Sequence, residues 1–171
     1  MAGVMCAFQI KNLADTFWYG DGVVFVVHHV VTISVAVLSM QPYSHFYGTF
    51  FFGVSEASTA VLSVLANFDE QHGLLELATN YPTLKLLTGA LFIVSFVLIR
   101  CVLWPVLTYF YVKDALLVLE AHEAHNARIV WTFVVALSVL SVLQVIWLGE
   151  IGATVRKELA PLFAPAKSKA H

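Results

Sequence analysis

Charge is what this sequence has least of. Lys, Arg, Asp and Glu make up 12% of the 171 residues and hydrophobic residues 60%, whereas soluble domains hold about 25% charged and about 45–50% apolar residues. That balance excludes a soluble globular domain and points to one compact polytopic membrane domain. Basic excess is also missing. The net charge is -2, so there is no positive field to hold nucleic acid. Cysteine is nearly absent: Cys6 and Cys101 are far apart in apolar surroundings, which excludes a disulfide framework and a metal knuckle and leaves two free buried thiols. The first ten residues hold no basic leader and no long apolar core. Neither a signal peptide nor a transit sequence is therefore expected there, and the address falls to the first spanning helix or to a segment outside this sequence. An internal repeat is also lacking.

What is present begins with a run free of Lys, Arg, Asp and Glu from Gly22 to Ser55, with His28 and His29 inside it. An apolar run of that length reads as membrane-embedded, and ionisable groups within it need internal partners or a function. Residues 1–15, with Lys11 and Asn12, read as an interfacial N-terminal segment, residues 16–158 as the transmembrane domain and residues 159–171 as a polar tail. The pattern predicts an all-α polytopic bundle of about four transmembrane helices. Helix one runs from Thr16 to Met40, with Trp18 and Tyr19 at its water boundary, and stops at Gln41-Pro42. Helix two runs from Phe46 to Phe68, with Ser55, Thr59 and Ser63 as a small, weakly polar stripe suited to close packing. Asp69 to Gly73 return the chain to water, and Leu74 to Tyr81 form a surface turn before Pro82 starts helix three. Helix three reaches Leu119, carries Arg100 alone between Lys85 and Lys113, and should bend at Pro105. Helix four is uncharged from Ile129 to Gly149.

Four spans put both termini and the 2–3 loop on one side with six Lys and Arg residues, against Lys113 and Arg128 on the other. Positive-inside bias then places the termini in the cytosol or its organellar equivalent. A tail such as Lys167 to His171 frays unless tied down, so order there calls for a partner.

Several polar residues invite chemistry. Adjacent helical side chains diverge by about 100°, so one of His28 and His29 is free to face a cavity while a neighbouring helix holds the other. Thr32 is within reach of either and can fix a tautomer. Asp21 shares a face with His28 but lies about 10 Å along the axis, close enough only for a relay. The same two histidines can equally be satisfied by polar stripes on other helices. Glu56 is either a proton partner for a histidine or the mate of Arg100. His122 and His125 miss the His-Glu-x-x-His spacing and read as a solvated turn, so no metal site is expected.

His28-His29-Val-Val-Thr32, then Tyr47-Gly48-Thr49 through Ser55-Glu56-Ala-Ser58-Thr59, then Ile99-Arg100 to Pro105 and Gln144-Val-Ile-Trp147 together resemble the TLC domain family over residues 16 to 150. That family includes ceramide synthases, translocon-associated TRAM proteins and smaller TLC domain-containing proteins. The resemblance implies an acyl-lipid pocket lined by Asp21, His28, His29, Thr32, Ser55, Glu56, Thr59 and Arg100 in a lipid-sized crevice. If acyl chemistry is retained, His28 or His29 acts as base or nucleophile toward an acyl-CoA thioester. Ceramide synthases pair the two histidines with a His-Asp-x-x-Asp element, where this chain has Val54-Ser55-Glu56-Ala57-Ser58. Family members also usually carry further spans ahead of the histidine pair. Those departures imply a non-catalytic, accessory subunit of a membrane assembly. A sphingoid-base N-acyltransferase and a lipid-composition regulator are the alternatives. No cofactor beyond a bound phospholipid or sphingolipid is implied. The family points to the endoplasmic reticulum, and an accessory role to a mitochondrial or other organellar inner membrane.

Overall fold

The structure, a computed structural model, describes residues 2–40, 45–69 and 73–163. All regular structure among them is helical: α1 (Ala2–Tyr19), α2 (Val23–Leu38), α3 (His45–Thr49), α4 (Glu56–Ala66), α5 (Leu75–Asn80), α6 (Pro82–Phe96), α7 (Trp104–Glu120) and α8 (Ala127–Phe163). Wide π turns join α3 to α4 over Phe50–Val54 and α6 to α7 over Val97–Leu103. Three helical stretches are long and apolar enough to cross a membrane: Phe46–Ala66, Pro82–Glu120 and Ala127–Lys157. The fourth apolar helix, α2, has 16 residues, or about 24 Å, somewhat less than a hydrocarbon core of about 30 Å. The chain is a helical bundle of a multi-pass membrane protein. Its outward side chains agree: Leu86 is 72% exposed and Val145 71%, contacts that are unfavourable in water but neutral against lipid tails.

The first predicted span is not continuous. Thr16 to Tyr19 belong to α1, and a turn over Gly20, Asp21 and Gly22 separates them from α2. Gly20 has φ +75° and Gly22 φ +95°, backbone angles that side chains with a Cβ resist. The Asp21 N–H donates to the Thr16 carbonyl at 3.2 Å, the long bond of a Schellman cap. Helix α1 then lies antiparallel along α2, since Gln9 meets His29 and residues 10 to 28 intervene. Met5, Gln9 and Thr16 form its buried face. The residues read as an interfacial segment thus lie within α1 and pack on α2, and Ala2 returns toward the Leu38 end of α2. Lys11 consequently sits partway along the hairpin, paired with Asp15 at 2.5 Å.

Downstream, α8 is the spine. Phe133, Ala136, Leu137, Leu140 and Leu143 are buried against Val35 of α2, Phe50 and Phe51 of the first π stretch, and Trp104, Tyr111 and Ala115 of α7. Helix α4 packs instead on α6. Helix α8 continues beyond Gly149 to Phe163, into the first five residues of the segment read as a polar tail. Residues 164–171, and with them the tail from Lys167 to His171, lie outside the described residues, as do 41–44 and 70–72.

A Cβ at Gly22 would meet nothing within 4 Å, so any cost of Gly22→Ala is a backbone cost. The substitution should destabilise the α1–α2 hairpin by about 1–3 kcal/mol, read as a lower melting temperature in detergent. Gly149→Ala, in open space on α8, should leave that temperature unchanged or raise it.

Candidate functional site

The two histidines of α2 diverge. His29 is buried and turned to α1, where its Nδ1 lies 2.5 Å from Gln9 Oε1. A side-chain amide oxygen only accepts, so Nδ1 carries the proton and Gln9 fixes the tautomer. The Gln9 nitrogen points to Met5 Sδ at 3.9 Å. Thr32, expected to do this, instead donates its hydroxyl to the His28 carbonyl at 2.8 Å. With no water in hydrocarbon, a helical hydroxyl is satisfied most cheaply by the carbonyl one turn back. Ser39, Ser55, Ser63 and Ser141 do the same.

His28 faces the interior. It lines a crevice whose other walls include Thr32, Ser55, Glu56, Arg100 and Trp104. Its ring meets Trp147 of α8 edge-on at 5.1 Å and His29 at 5.0 Å. Its Nδ1 is buried and has no hydrogen-bond partner among the described residues. The space enclosed is about 30 Å³, where one water requires roughly 10–15 Å³. The crevice as it stands is thus water-sized and not the lipid-sized cavity expected from the resemblance. Aromatic side chains fill the remainder, with Phe51 against Trp104 at 4.9 Å and Tyr47 against Tyr111 at 5.3 Å.

Opposite His28 stands Arg100, 5% exposed. It lies in the π stretch Val97–Leu103, directly before Pro105. Proline lacks an N–H, and its ring would crowd the carbonyl four residues back; widened turns accommodate both and leave Pro105 in the first turn of α7. Arg100 is held from three directions. Its NH2 group lies 3.6 Å from Glu56 Oε1. Nε donates to Ser58 Oγ and NH2 to Thr59 Oγ1, each at 3.2 Å. The guanidinium carbon sits 5.5 Å from the Trp104 ring centroid. Trp104 in turn donates its Nε1–H to Ser141 Oγ at 3.0 Å, which ties α7 to α8.

Of the residues singled out in sequence, His28, Thr32, Ser55, Glu56 and Arg100 come together at the crevice. Thr59 reaches it through Arg100, while His29 turns to α1. Asp21 is exposed in the hairpin turn and stands apart from the group. Gln9 was missed because Lys11 and Asn12 made its segment look peripheral. Met5, Gln9 and Thr16, spaced by four and seven, were the available signal. Ser58 was passed over because it lies off the Ser55–Thr59–Ser63 stripe. Tyr47 enters the sequence reading as the start of the Tyr47-Gly48-Thr49 motif and not as a site residue, yet its hydroxyl donates to Asp114 Oδ2 at 2.5 Å and links α3 to α7.

A family model described as TLC domain matches residues 2–152. Among curated proteins and among solved structures, nothing matches the chain.

Removing one partner of a buried ion pair strands the other. Arg100→Leu should therefore lower stability by about 3 kcal/mol, whereas Arg100→Leu combined with Glu56→Leu should recover a good part of it. Thermal unfolding of the two single variants and the double variant in detergent measures that coupling, and additive losses would mean that the pair is not coupled. Gln9→Leu should cost about 1–3 kcal/mol by leaving the His29 nitrogen unpaired, in the same assay.

Proposed function

The chain belongs to the TLC domain family, and on that premise we propose that it binds an acyl lipid at the His28 crevice and serves as a non-catalytic, accessory subunit of a membrane assembly. The observation that carries this reading is where Glu56 is committed. Among the described residues it is the one carboxylate on the crevice wall, and it faces Arg100 at 3.6 Å. A histidine acting as base or nucleophile toward an acyl donor works best when a third group orients it. The ring neighbours of His28 are His29 and Trp147, neither of which supplies that negative charge. The small crevice suits the polar end of a lipid, with the tail lying along the apolar flanks of the bundle.

A second feature supports the accessory role. Lys11 and Asp15 are paired on the outer face of α1, their side chains 68% and 41% exposed, beside α2, which carries no Lys, Arg, Asp or Glu. A charged pair at that position is costly against hydrocarbon and is better covered by protein or by water. An organellar membrane, the endoplasmic reticulum or a mitochondrial inner membrane, is the setting this reading assigns.

The enzyme alternative, an acyl-CoA-dependent sphingoid-base N-acyltransferase, draws on His28, a residue of the crevice wall whose Nδ1 has no hydrogen-bond partner among the described residues. Purified protein should carry acyl lipid visible by native mass spectrometry, lose most of it on His28→Ala, and form no amide from acyl-CoA and sphinganine. Turnover in that mixture that vanishes with His28→Ala would replace the accessory reading with the enzyme. Lipid bound to a protein that purifies from native membranes as a lone monomer would favour a lipid-composition regulator.

A further inference from the structure

The crevice has two ends. On α2 it is lined by His28, Thr32, Val35 and Ser39, steps of four, three and four that form one stripe about 16 Å long. Glu56 and Arg100 belong to the His28 end. Tyr47 belongs to the Ser39 end, because α3 starts at His45, six residues after Ser39, and Glu56 follows Tyr47 by nine residues on the way back. Tyr111, eleven residues past Arg100, stands against Tyr47 there. Beside them on α7, Lys113 and Asp114 are exposed. Two charged side chains in that position mark the watery edge of the bundle.

Tyr47 is half-buried and forms part of the crevice wall. Its ring meets Tyr111 edge-on at 5.3 Å, and its hydroxyl donates to Asp114 Oδ2 at 2.5 Å. The bond thus ties a wall residue to an exposed carboxylate on the neighbouring helix. The segment that carries Tyr47 is thinly held. Helix α3 has five residues and passes directly into the π stretch Phe50–Val54; one helical turn has little stability of its own, and widened turns are frequent at moving parts of helices.

The enclosed space is about 30 Å³, room for about two waters. Anything larger enters only when a wall moves. At the far end the wall is the Arg100–Glu56 pair with its hydroxyl partners, which is costly to part. At the near end it is the Tyr47 ring, whose displacement costs one exposed hydrogen bond and an edge contact.

We propose that Tyr47 and Asp114 form a latch on the crevice. With their hydrogen bond made, the Tyr47 ring shuts the Ser39 end. With it broken, the ring swings aside on α3 and the crevice opens to water as far as Thr32. Entry is then from the membrane surface and not sideways from the lipid. The latch governs access alone, so it stands apart from the reading of the crevice as an acyl-lipid site.

The test is cysteine accessibility in the full chain in nanodiscs, on a Cys6→Ala, Cys101→Ala background, with a small cationic methanethiosulfonate that does not cross the bilayer. Thr32→Cys reports from inside the crevice. Thr88→Cys, buried on α6, reports general loosening. Tyr47→Phe, which keeps the ring and loses the hydroxyl, should speed labelling of Thr32→Cys about tenfold, and so should Asp114→Ala. Combining the two should add less than twofold, because both remove the same bond. Labelling of Thr88→Cys should stay within about twofold throughout. A rate at Thr32→Cys that neither variant changes would overturn the latch, as would gains that multiply in the double variant. An equal rise at Thr88→Cys would overturn it too, since the bond would then be a general strut. No ligand enters the assay, so loss of the lipid reading leaves its result intact.

Discussion

Inside hydrocarbon a polar group has only the protein to bond with, and most of this structure follows from that constraint. Arg100 shows it most fully. One guanidinium, buried at the level of the crevice, draws Glu56, Ser58, Thr59 and Trp104 toward it, and through Trp104 it reaches Ser141 on α8. Helices that share little apolar incentive to associate in lipid are thereby given specific reasons to meet. The hydroxyls of Ser34, Ser63 and Ser138 bond back to their own helix. A stripe of serines is thus a poor guide to a site here. A hydroxyl that serves a second helix is a good one.

The two π stretches belong to the same logic. Each precedes a residue on which the crevice depends, Ser55 with Glu56 in one case and Trp104 in the other, while Arg100 lies within the second. Where the turns widen, Phe50 and Phe51 from one stretch stack on Trp104 from the far end of the other. The aromatic contact fills the centre of the bundle and leaves the charged side chains at its margin.

How much of this was legible in the sequence varies with the kind of signal. Long apolar runs announced the bundle, since only helices or closed barrels satisfy their backbone in a membrane. Arg100 and Glu56 stood out because each is a lone charge within a span. Gln9 did not, since a neutral amide in a segment with Lys11 and Asn12 looks like surface until α1 is known to fold back on α2. The break at Gly20 and Gly22 was within sight, but the neighbouring Trp18 and Tyr19 suggested a membrane boundary more strongly than a hairpin. The unequal fates of His28 and His29 follow from helix geometry. Which would face inward depended on α1, and so was not to be had from α2 alone.

A wide turn also acts as a phase shift. Each π turn takes in roughly one residue more than an α turn, and everything after it is rotated by about 100° relative to an uninterrupted helix. Val97–Leu103 therefore sets the angular position of Tyr111 and Ala115, two turns and more beyond it, both of which are buried against α8. In a relative one residue shorter between the arginine and the proline, the lower half of this helix would present a different face to the bundle while keeping every side chain beyond the proline. Spacing across that stretch, more than the identity of any residue in it, is the quantity by which members of the family with the same packing could be sorted from those without it.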